Sequence, residues 1–363
     1  MIPAWKLRRE MLRLWRMLTF LPMHPVEQAW FRLHPHLFPA THRVHEGAQP
    51  ATGSIAIFLI HQPKGLQATV PATCRHLGAA GYRVHLVSNA PLSAEDVARL
   101  RPLCGRIVER PNHGLDFGGY RQEILACLAE GITPDRLLLL NDSIWFPVLR
   151  DCDMLDRLEA LGADLAGPVH YAHRNPRRAH LQSYCLLFSA RAVESPAFRA
   201  FWQGYAMSNN KVRTIRNGEM RLTRVCREGG LSVAAIHDAH EALTLDRLSP
   251  EARTAVAAHD AMRAGDEAAR AEGPVPGRGG YLLSNHPAVN IGLLSFSILK
   301  KDRGLPYRMQ RRALVSGEGM DLRDRLLPEV RAALEVWDIP EPEDVPRPVP
   351  QATLTSSTAK VRS

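Results

Sequence analysis

The chain has 363 residues, 45% of them hydrophobic and 23% charged, the composition of an ordinary folded protein with one large or two modest domains. No apolar stretch is long enough to cross a bilayer, Met1 to Phe20 lacks the pattern of a secretory signal, and six scattered cysteines without a C-x-x-C pair point to reduced thiols in a cytoplasmic protein rather than a disulfide framework or zinc site. A formal net charge of +9 asks for an anionic partner, and with no helix-turn-helix, zinc-finger or ribonucleoprotein pattern, specific nucleic-acid binding is not expected.

The first segment, MIPAWKLRREMLRLWRML, reads as an amphipathic helix. Leu7, Met11, Leu14 and Leu18 form one stripe and Lys6, Arg9, Arg13 and Arg16 another, with Trp5 and Trp15 between. Such a helix either lies in an anionic membrane interface, here the inner face of the cytoplasmic membrane, or packs on the protein and shows its arginines to solvent. From Ser54 a regular alternation begins. SIAIFLIHQ is a buried strand, Leu66 to Ala80 a helix, YRVHLVSNA a second strand, and Ser93 caps a helix running to about Leu103. GRIVERPN is a third strand, DFGGYRQEILACLAEG a helix closed by Gly131, and DRLLLLNDS a fourth strand. Strands and helices alternating at this spacing predict βαβ units and a mostly parallel sheet flanked by helices, with ligand bound at the carboxyl ends of the strands. Asn89, Asn112 and Asp142 fall at those ends.

Past Pro147, GADLAGPVHYAHRNPRRAHLQSYCLLFSA holds a strand, a basic loop and a further strand, followed by short helices in SPAFRAFWQGY and NGEMRLTRVCREGG. FRAFW reads as core. Pro250 to Gly280 reads as a surface helix and linker, and the chain after Asp338 as a disordered tail. The expected organisation is an N-terminal helical segment over 1–50, a central α/β domain over 51–245, a helical extension completing it over 246–338, and a tail over 339–363.

Four motifs stand in order: RPNHGLDFGGYRQEIL, LLLLNDSIWFP, HLQSYCLLFSARAVESPAFRAFW and NGEMRLT. Together they resemble the rhamnan synthesis protein F family over roughly Ser54 to Asp238, with a weaker echo in SILKKDRGLPYRMQRRAL. The resemblance implies a GT-A-like, Rossmann-like fold. It also implies a glycosyltransferase that moves a sugar, L-rhamnose or a related deoxysugar, from a nucleotide-diphosphate donor to a cell-surface polysaccharide or lipid-linked glycan, with inversion. Enzymes of this type carry a D-x-D element after the fourth strand, where a carboxylate and a divalent cation (Mg²⁺ or Mn²⁺) grip the donor diphosphate. Asn141, Asp142 and Ser143 occupy that place here, with one aspartate instead of two.

The other candidate residues each have a plainer reading beside them. In NHGLDFGG, Asn112, Gly114 and Asp116 either approach the nucleotide or form a turn with Asp116 as N-cap. His170, His173, Arg174, Arg177 and Arg178 form a loop that covers phosphates or is simply solvated, while His180, Gln182 and Ser183 match the family motif and are expected to face the sugar. Glu219, expected at the start of a helix, is the candidate catalytic base or else a carboxylate stabilising the helix dipole. Asp238 and Glu241 are its alternatives, with His237 or His240 as a late metal ligand. Two readings from other classes compete: a catalytically silent sugar-nucleotide-binding or scaffold subunit, and a basic protein whose charge binds membrane or nucleic acid.

Overall fold

The computed structural model describes residues 24–37, 42–238, 291–292, 294–302, 305–317 and 321–338, with single positions at 11 and 250. The amphipathic segment before residue 20, Glu241 and His240, the linker up to Gly280 and the tail after Asp338 lie outside these residues, those single positions apart.

A helix α1 (His24–Leu37) and an edge strand β1 (Arg43–Glu46) precede the alternation. Next come β2 (Ser54–Ile60), α2 (Thr69–Ala79), β3 (Arg83–Ser88), α3 (Ala94–Leu100), β4 (Arg106–Glu109), α4 (Leu115–Ala129) and β5 (Arg136–Asn141). The continuous apolar runs are explained by burial on both faces. Ile55, Ile57 and Leu59 of β2 and Leu137 and Leu139 of β5 enter one core; Ala56, Phe58, Ile60, Leu138 and Leu140 enter the other. Each such Ile, Leu or Phe side chain adds about 1.5–3 kcal/mol by leaving water. Ser93 caps α3 as expected, its Oγ accepting the Asp96 N–H at 3.0 Å.

The remaining elements are β6 (Ile144–Trp145), α5 (Met154–Ala160), β7 (Leu165–Tyr171), β8 (His180–Leu181), β9 (Cys185–Ser189), α6 (Ala190–Glu194), α7 (Pro196–Gln203), α8 (Lys211–Thr214), a π-helical turn (Ile215–Met220), α9 (Arg221–Glu228), β10 (Val233–Asp238), β11 (Leu299–Lys300), α10 (Leu305–Ser316) and α11 (Pro328–Trp337). The nine-stranded sheet runs β1-β4-β3-β2-β5-β9-β7-β10, with β8 on β7. It is parallel from β4 through β5, as the alternation predicts. Beyond β5 it is mixed, because β9 lies antiparallel to both β5 and β7 and β10 pairs parallel to β7. The chain leaves β2 toward β3 and β4 on one side and returns to place β5 on the other. The crevice where connections diverge at the carboxyl ends of β2 and β5 is a topological switch point, where open α/β sheets bind ligands.

The described residues between 291 and 338 close over the exit of β5. β11 pairs antiparallel with β6, setting Leu299 against Trp145 and Lys300 against Ile144. The Val148 and Leu149 N–H groups both donate to Ser297 Oγ at 2.9 and 2.8 Å, and Trp145, Leu299, Leu314, Leu326 and Leu334 share a third core. Arg311 is fully buried, donates twice to Asp338 (2.9 and 2.6 Å) and once to the Asp302 carbonyl, and so ties α10 to the end of α11.

Candidate active site

Asp142 is delivered by β5. Its N–H donates to the Leu59 carbonyl at 2.9 Å, which locks it to the end of β2. Its Oδ2 accepts the His61 N–H at 3.0 Å and Gln62 Nε2 at 3.2 Å, and both bonds fall on that one oxygen. Asn141 is buried beside it and works in two directions: its Nδ2 donates to Asp116 Oδ2 at 3.2 Å, and its Oδ1 accepts the Ser143 N–H (3.1 Å) and hydroxyl (2.5 Å). The N-D-S triplet is thus a turn held by Asn141, which presents Asp142 and Ser143 outward.

Asn89 follows β3, donates its N–H to the Ile60 carbonyl at 2.8 Å, and donates through Nδ2 to Asn112 Oδ1 at 3.1 Å. Arg110, quoted within a sequence motif but assigned no role, orients this pair. Its buried guanidinium donates to Asn89 Oδ1 (2.6 Å), the His113 carbonyl (2.7 Å) and Gln122 Oε1 (2.9 Å), and desolvation pulls its pKa down to about 10. Gly114 then turns the chain with φ +76°, in the left-handed region where a side chain is strained, and Leu115 follows at φ +52°. Helix α4 begins at Leu115 with Gly114 as its cap, so Asp116 lies inside the first turn. The alternative of Asp116 as N-cap is therefore corrected: its carboxyl is engaged by Asn141 instead.

Burial, then the charges of Asp142 and Glu219, push the Asp116 carboxyl up to about 7. Asn141, the residue before Asp142, donates to Asp116, and the Gly218–Phe117 contact brings the turn of Glu219 beside Asp116, so the three carboxylates share one end of the sheet. A raised carboxyl makes a definite stability prediction. Between the ordinary value of 3.8 and about 7 the unfolded chain releases a proton that the folded chain keeps, so the contribution of Asp116 is most favourable below 3.8 and is lost as pH rises to about 7. Asp116→Asn cannot ionise and still accepts from Asn141. Its unfolding midpoint relative to the unaltered protein is expected to rise across that window and level off above it.

Glu219 is not in a first helical turn. Helices α8 and α9 run on through the π turn, so Glu219 sits mid-helix and the dipole explanation does not apply. Gly218 is what lets this turn approach: a Cβ there would meet three atoms of the Phe117 ring at 2.9 Å. Phe117 is the neighbour of Asp116, and the contact carries Glu219 to the carboxylate end. Its Oε2 lies 3.7 Å from His180 Nε2, while His180 Nδ1 is 2.7 Å from the Arg178 carbonyl. Single π turns inside α-helices recur at functional sites.

The profile of the rhamnan synthesis protein F family matches residues 84–259. Over 339 residues the chain is 32% identical to the uncharacterized protein y4gN of Sinorhizobium fredii (strain NBRC 101917 / NGR234), covering 87% of this chain and 88% of that one. The chain belongs to the rhamnan synthesis protein F family. Among solved structures it shows a slight likeness to a glycosyltransferase involved in glycosylation of the major capsid of PBCV-1, at 11% identity, 52% and 83% coverage of the two chains and a TM-score of 0.29. The galactosyltransferase LgtC in complex with donor and acceptor sugar analogs gives 14%, 64% and 88%, and 0.29. The mannosyltransferase Ktr4p from S. cerevisiae in complex with GDP gives 10%, 53% and 70%, and 0.25.

The other expected residues of this family member fall less centrally. Gln182 and Ser183 form the turn between β8 and β9, where the Gln182 N–H donates to the Val169 carbonyl at 3.0 Å. The loop from His173 to Arg178 is exposed to solvent. His237 and Asp238 lie on β10, three strand spacings or about 14 Å from β5. They contact Arg157 (3.2 Å) and His170 (3.1 Å).

Lys300 and Lys301 were quoted in the sequence echo without a role, and the fold brings them to this cluster. The Lys301 N–H donates to the Ser143 carbonyl at 2.8 Å, and its ammonium donates to Gln67 Oε1 at 3.1 Å and lies 5.5 Å from the Trp145 ring. Gln67 in turn donates its N–H to Gln62 Oε1 (2.7 Å), and Gln62 holds Asp142. The Lys300 ammonium lies 5.2 Å from the Tyr184 ring. Desolvation lowers both lysine pKa values, opposed by Glu219 at Lys300 and by Asp142 at Lys301. Among the described residues neither ammonium has a carboxylate within salt-bridge distance. Both side chains are half-buried, and cation–π contact offsets about 0.5–2 kcal/mol of the cost of partly desolvating an ammonium without a carboxylate partner.

The family resemblance implies a divalent ion, and the donor set takes one in a limited way. Asp142 offers Oδ1, which suffices for Mg²⁺ only if substrate phosphates supply further ligands. Among the described residues, metal-type ligand atoms gather within 4.8 Å at His85, Glu123 and Cys127. That group is buried inside the sheet-helix packing, away from the strand ends. The Arg106 guanidinium lies 3.3 Å from the same Glu123 oxygen that meets His85, and burial holds the Cys127 thiol up at about 12, so it is a buried ion network with little to offer a dication.

Proposed function

We propose that this protein is a glycosyltransferase acting in cell-surface polysaccharide synthesis, with the donor diphosphate at the carboxyl ends of β2 and β5. The observation that carries the reading is the convergence of Asp116, Asp142 and Glu219 at the switch point of the sheet. Asn89, Asn112 and Asp116, with the left-handed turn at Gly114, form the nucleoside side. Asp142 and Ser143 face the diphosphate, and His180, Gln182 and Ser183 border the sugar. Glu219 accepts the acceptor hydroxyl's proton as that oxygen attacks the anomeric carbon. The bond from that carbon to the diphosphate oxygen breaks, and the nucleoside diphosphate leaves with the electron pair. One displacement inverts a β-linked donor to an α-linked product. The family's name supports L-rhamnose or a related deoxysugar as the sugar, and a polysaccharide or lipid-linked glycan as acceptor.

The reading places the protein in the cytoplasm, on the inner face of the membrane. Val26, Trp30 and Leu33 of α1 are exposed at helical spacing, an apolar stripe continuing the character of the segment before it. No described helix is long and apolar enough to cross a membrane. We take the segment from β1 to residue 245 as the catalytic domain, because β1 pairs with β4 in the sheet, 246–338 as completing it around β6, and the segment before β1 as the attachment segment. A silent sugar-nucleotide-binding subunit is the second reading, favoured by the single aspartate of the N-D-S turn.

A thermal-shift series with nucleotide-diphosphate sugars, with and without Mg²⁺ or Mn²⁺, tests the donor site. At least one is expected to raise the unfolding midpoint, because a ligand bound only to the native state stabilises it. A flat response to every donor in both conditions contradicts the reading.

A further inference from the structure

The turn after β5 is more than a donor-site loop, because its apolar continuation is the docking strand for β11. Trp145 pairs with Leu299, and this pairing fixes where the next two residues fall: Lys300 opposite Ile144, and Lys301 with its N–H on the Ser143 carbonyl at 2.8 Å. The register is backed by Ser297, whose hydroxyl receives the N–H groups of Val148 and Leu149. It is backed again by the T-shaped contact of Trp145 with Trp337, 5.0 Å between centroids. The backbone of both lysines is therefore fixed at the end of the N-D-S turn, with the Lys301 charge felt at Asp142 and the Lys300 charge at Glu219. Their lining is aromatic and amide: Tyr184 by Lys300, and Trp145, Trp337 and Gln67 by Lys301. Lys211 adds a third positive charge, felt by both Asp116 and Lys300.

This lining leaves the positive charge uncompensated by any carboxylate in contact among the described residues. The Gln62–Gln67 relay joins Lys301 to Asp142 while keeping a side-chain amide between them. An anion entering beside Ser143 would meet ammonium groups that no carboxylate already holds. We propose that Lys300 and Lys301 bind the donor's diphosphate and stabilise the leaving nucleoside diphosphate, in the role a divalent ion fills where a D-x-D element holds one. The proposal rests on the donor-site reading above. It explains why one aspartate suffices in the N-D-S turn: the second acidic residue would serve a metal whose charge the lysines already supply. It also explains why the chain returns to the exit of β5 to complete the site.

The test uses the full chain with UDP, GDP and dTDP as probes, titrated calorimetrically in excess EDTA and again with Mn²⁺. At least one probe is expected to bind in EDTA with an affinity that Mn²⁺ changes little. Lys300→Met and Lys301→Met are each expected to weaken that probe roughly tenfold or more, as loss of a charge-assisted hydrogen bond does. Methionine keeps the apolar stem against the rings, and an unfolding curve for each variant checks the fold. Binding by the unaltered protein that vanishes in EDTA and returns with Mn²⁺ overturns the proposal, independently of any variant, and leaves the donor site standing. So do folded Met variants that bind as tightly as the original. Absence of binding in both conditions overturns the donor-site reading together with this one.

Discussion

Asp142→Asn is expected to lower sugar transfer by roughly 10²–10³, the loss typical when one electrostatic contact to a developing charge is removed, here the positive charge that grows on the anomeric carbon as the nucleoside diphosphate departs, while leaving the unfolding midpoint nearly unchanged. The structure explains why these effects separate. An asparagine oxygen in the Oδ2 position still accepts the His61 N–H and Gln62 Nε2, and the backbone bond from residue 142 to Leu59 is untouched. Only the negative charge disappears, together with the second carboxylate oxygen. Steady-state transfer measured beside a melting curve checks both halves. Full activity in a folded variant removes Asp142 from the site, and a collapsed midpoint makes it a structural carboxylate instead.

The second large effect belongs to Glu219. Glu219→Gln keeps size and hydrogen bonding but cannot accept a proton, so turnover is expected to fall by roughly 10²–10⁴ with donor affinity little changed. The helix tolerates the change: Glu219 lies mid-helix in the π turn, and Gly218, not Glu219, makes the close contact with Phe117. His180 Nε2 lies 3.7 Å from Glu219 Oε2. Loss of donor affinity with turnover preserved at saturation moves Glu219 from proton transfer to binding.

The sheet centre was legible because its physics is local. A strand buried on both faces must be a continuous apolar run, and Ile55 to Ile60 and Leu137 to Leu140 are such runs, split residue by residue between two cores. Asp142 was legible for the same reason, as the first carboxylate after such a run. Edge elements were not. Strand β1 is Arg-Val-His-Glu with mostly exposed residues and carries no hydrophobic signature, while β10 has a short apolar run, Val233 to Ile236, that is only half-buried at the sheet edge. The setting of Glu219 was missed because Asn217 and Gly218 resemble a helix start. The real signal is a glycine spared for Phe117, a residue on another helix. Lys300 and Lys301 were the furthest from view. The contact that brings their strand to the site joins Val148 to Ser297, 149 positions apart. Only the sequence Lys-Lys after an apolar alternation hinted that this strand ends in charge.

Sugar transfer at the carboxylate cluster of the switch point is the step to measure. Its most direct measurement is nucleoside diphosphate release from a panel of nucleotide-diphosphate sugars, dTDP-L-rhamnose among them, with a polysaccharide or lipid-linked acceptor present and the product mass followed in parallel. The account predicts one donor consumed, with release matched mole for mole by an added sugar mass and lost in Asp142→Asn and Glu219→Gln. Donor binding without release across the panel, or release and transfer equal in both variants, would contradict it.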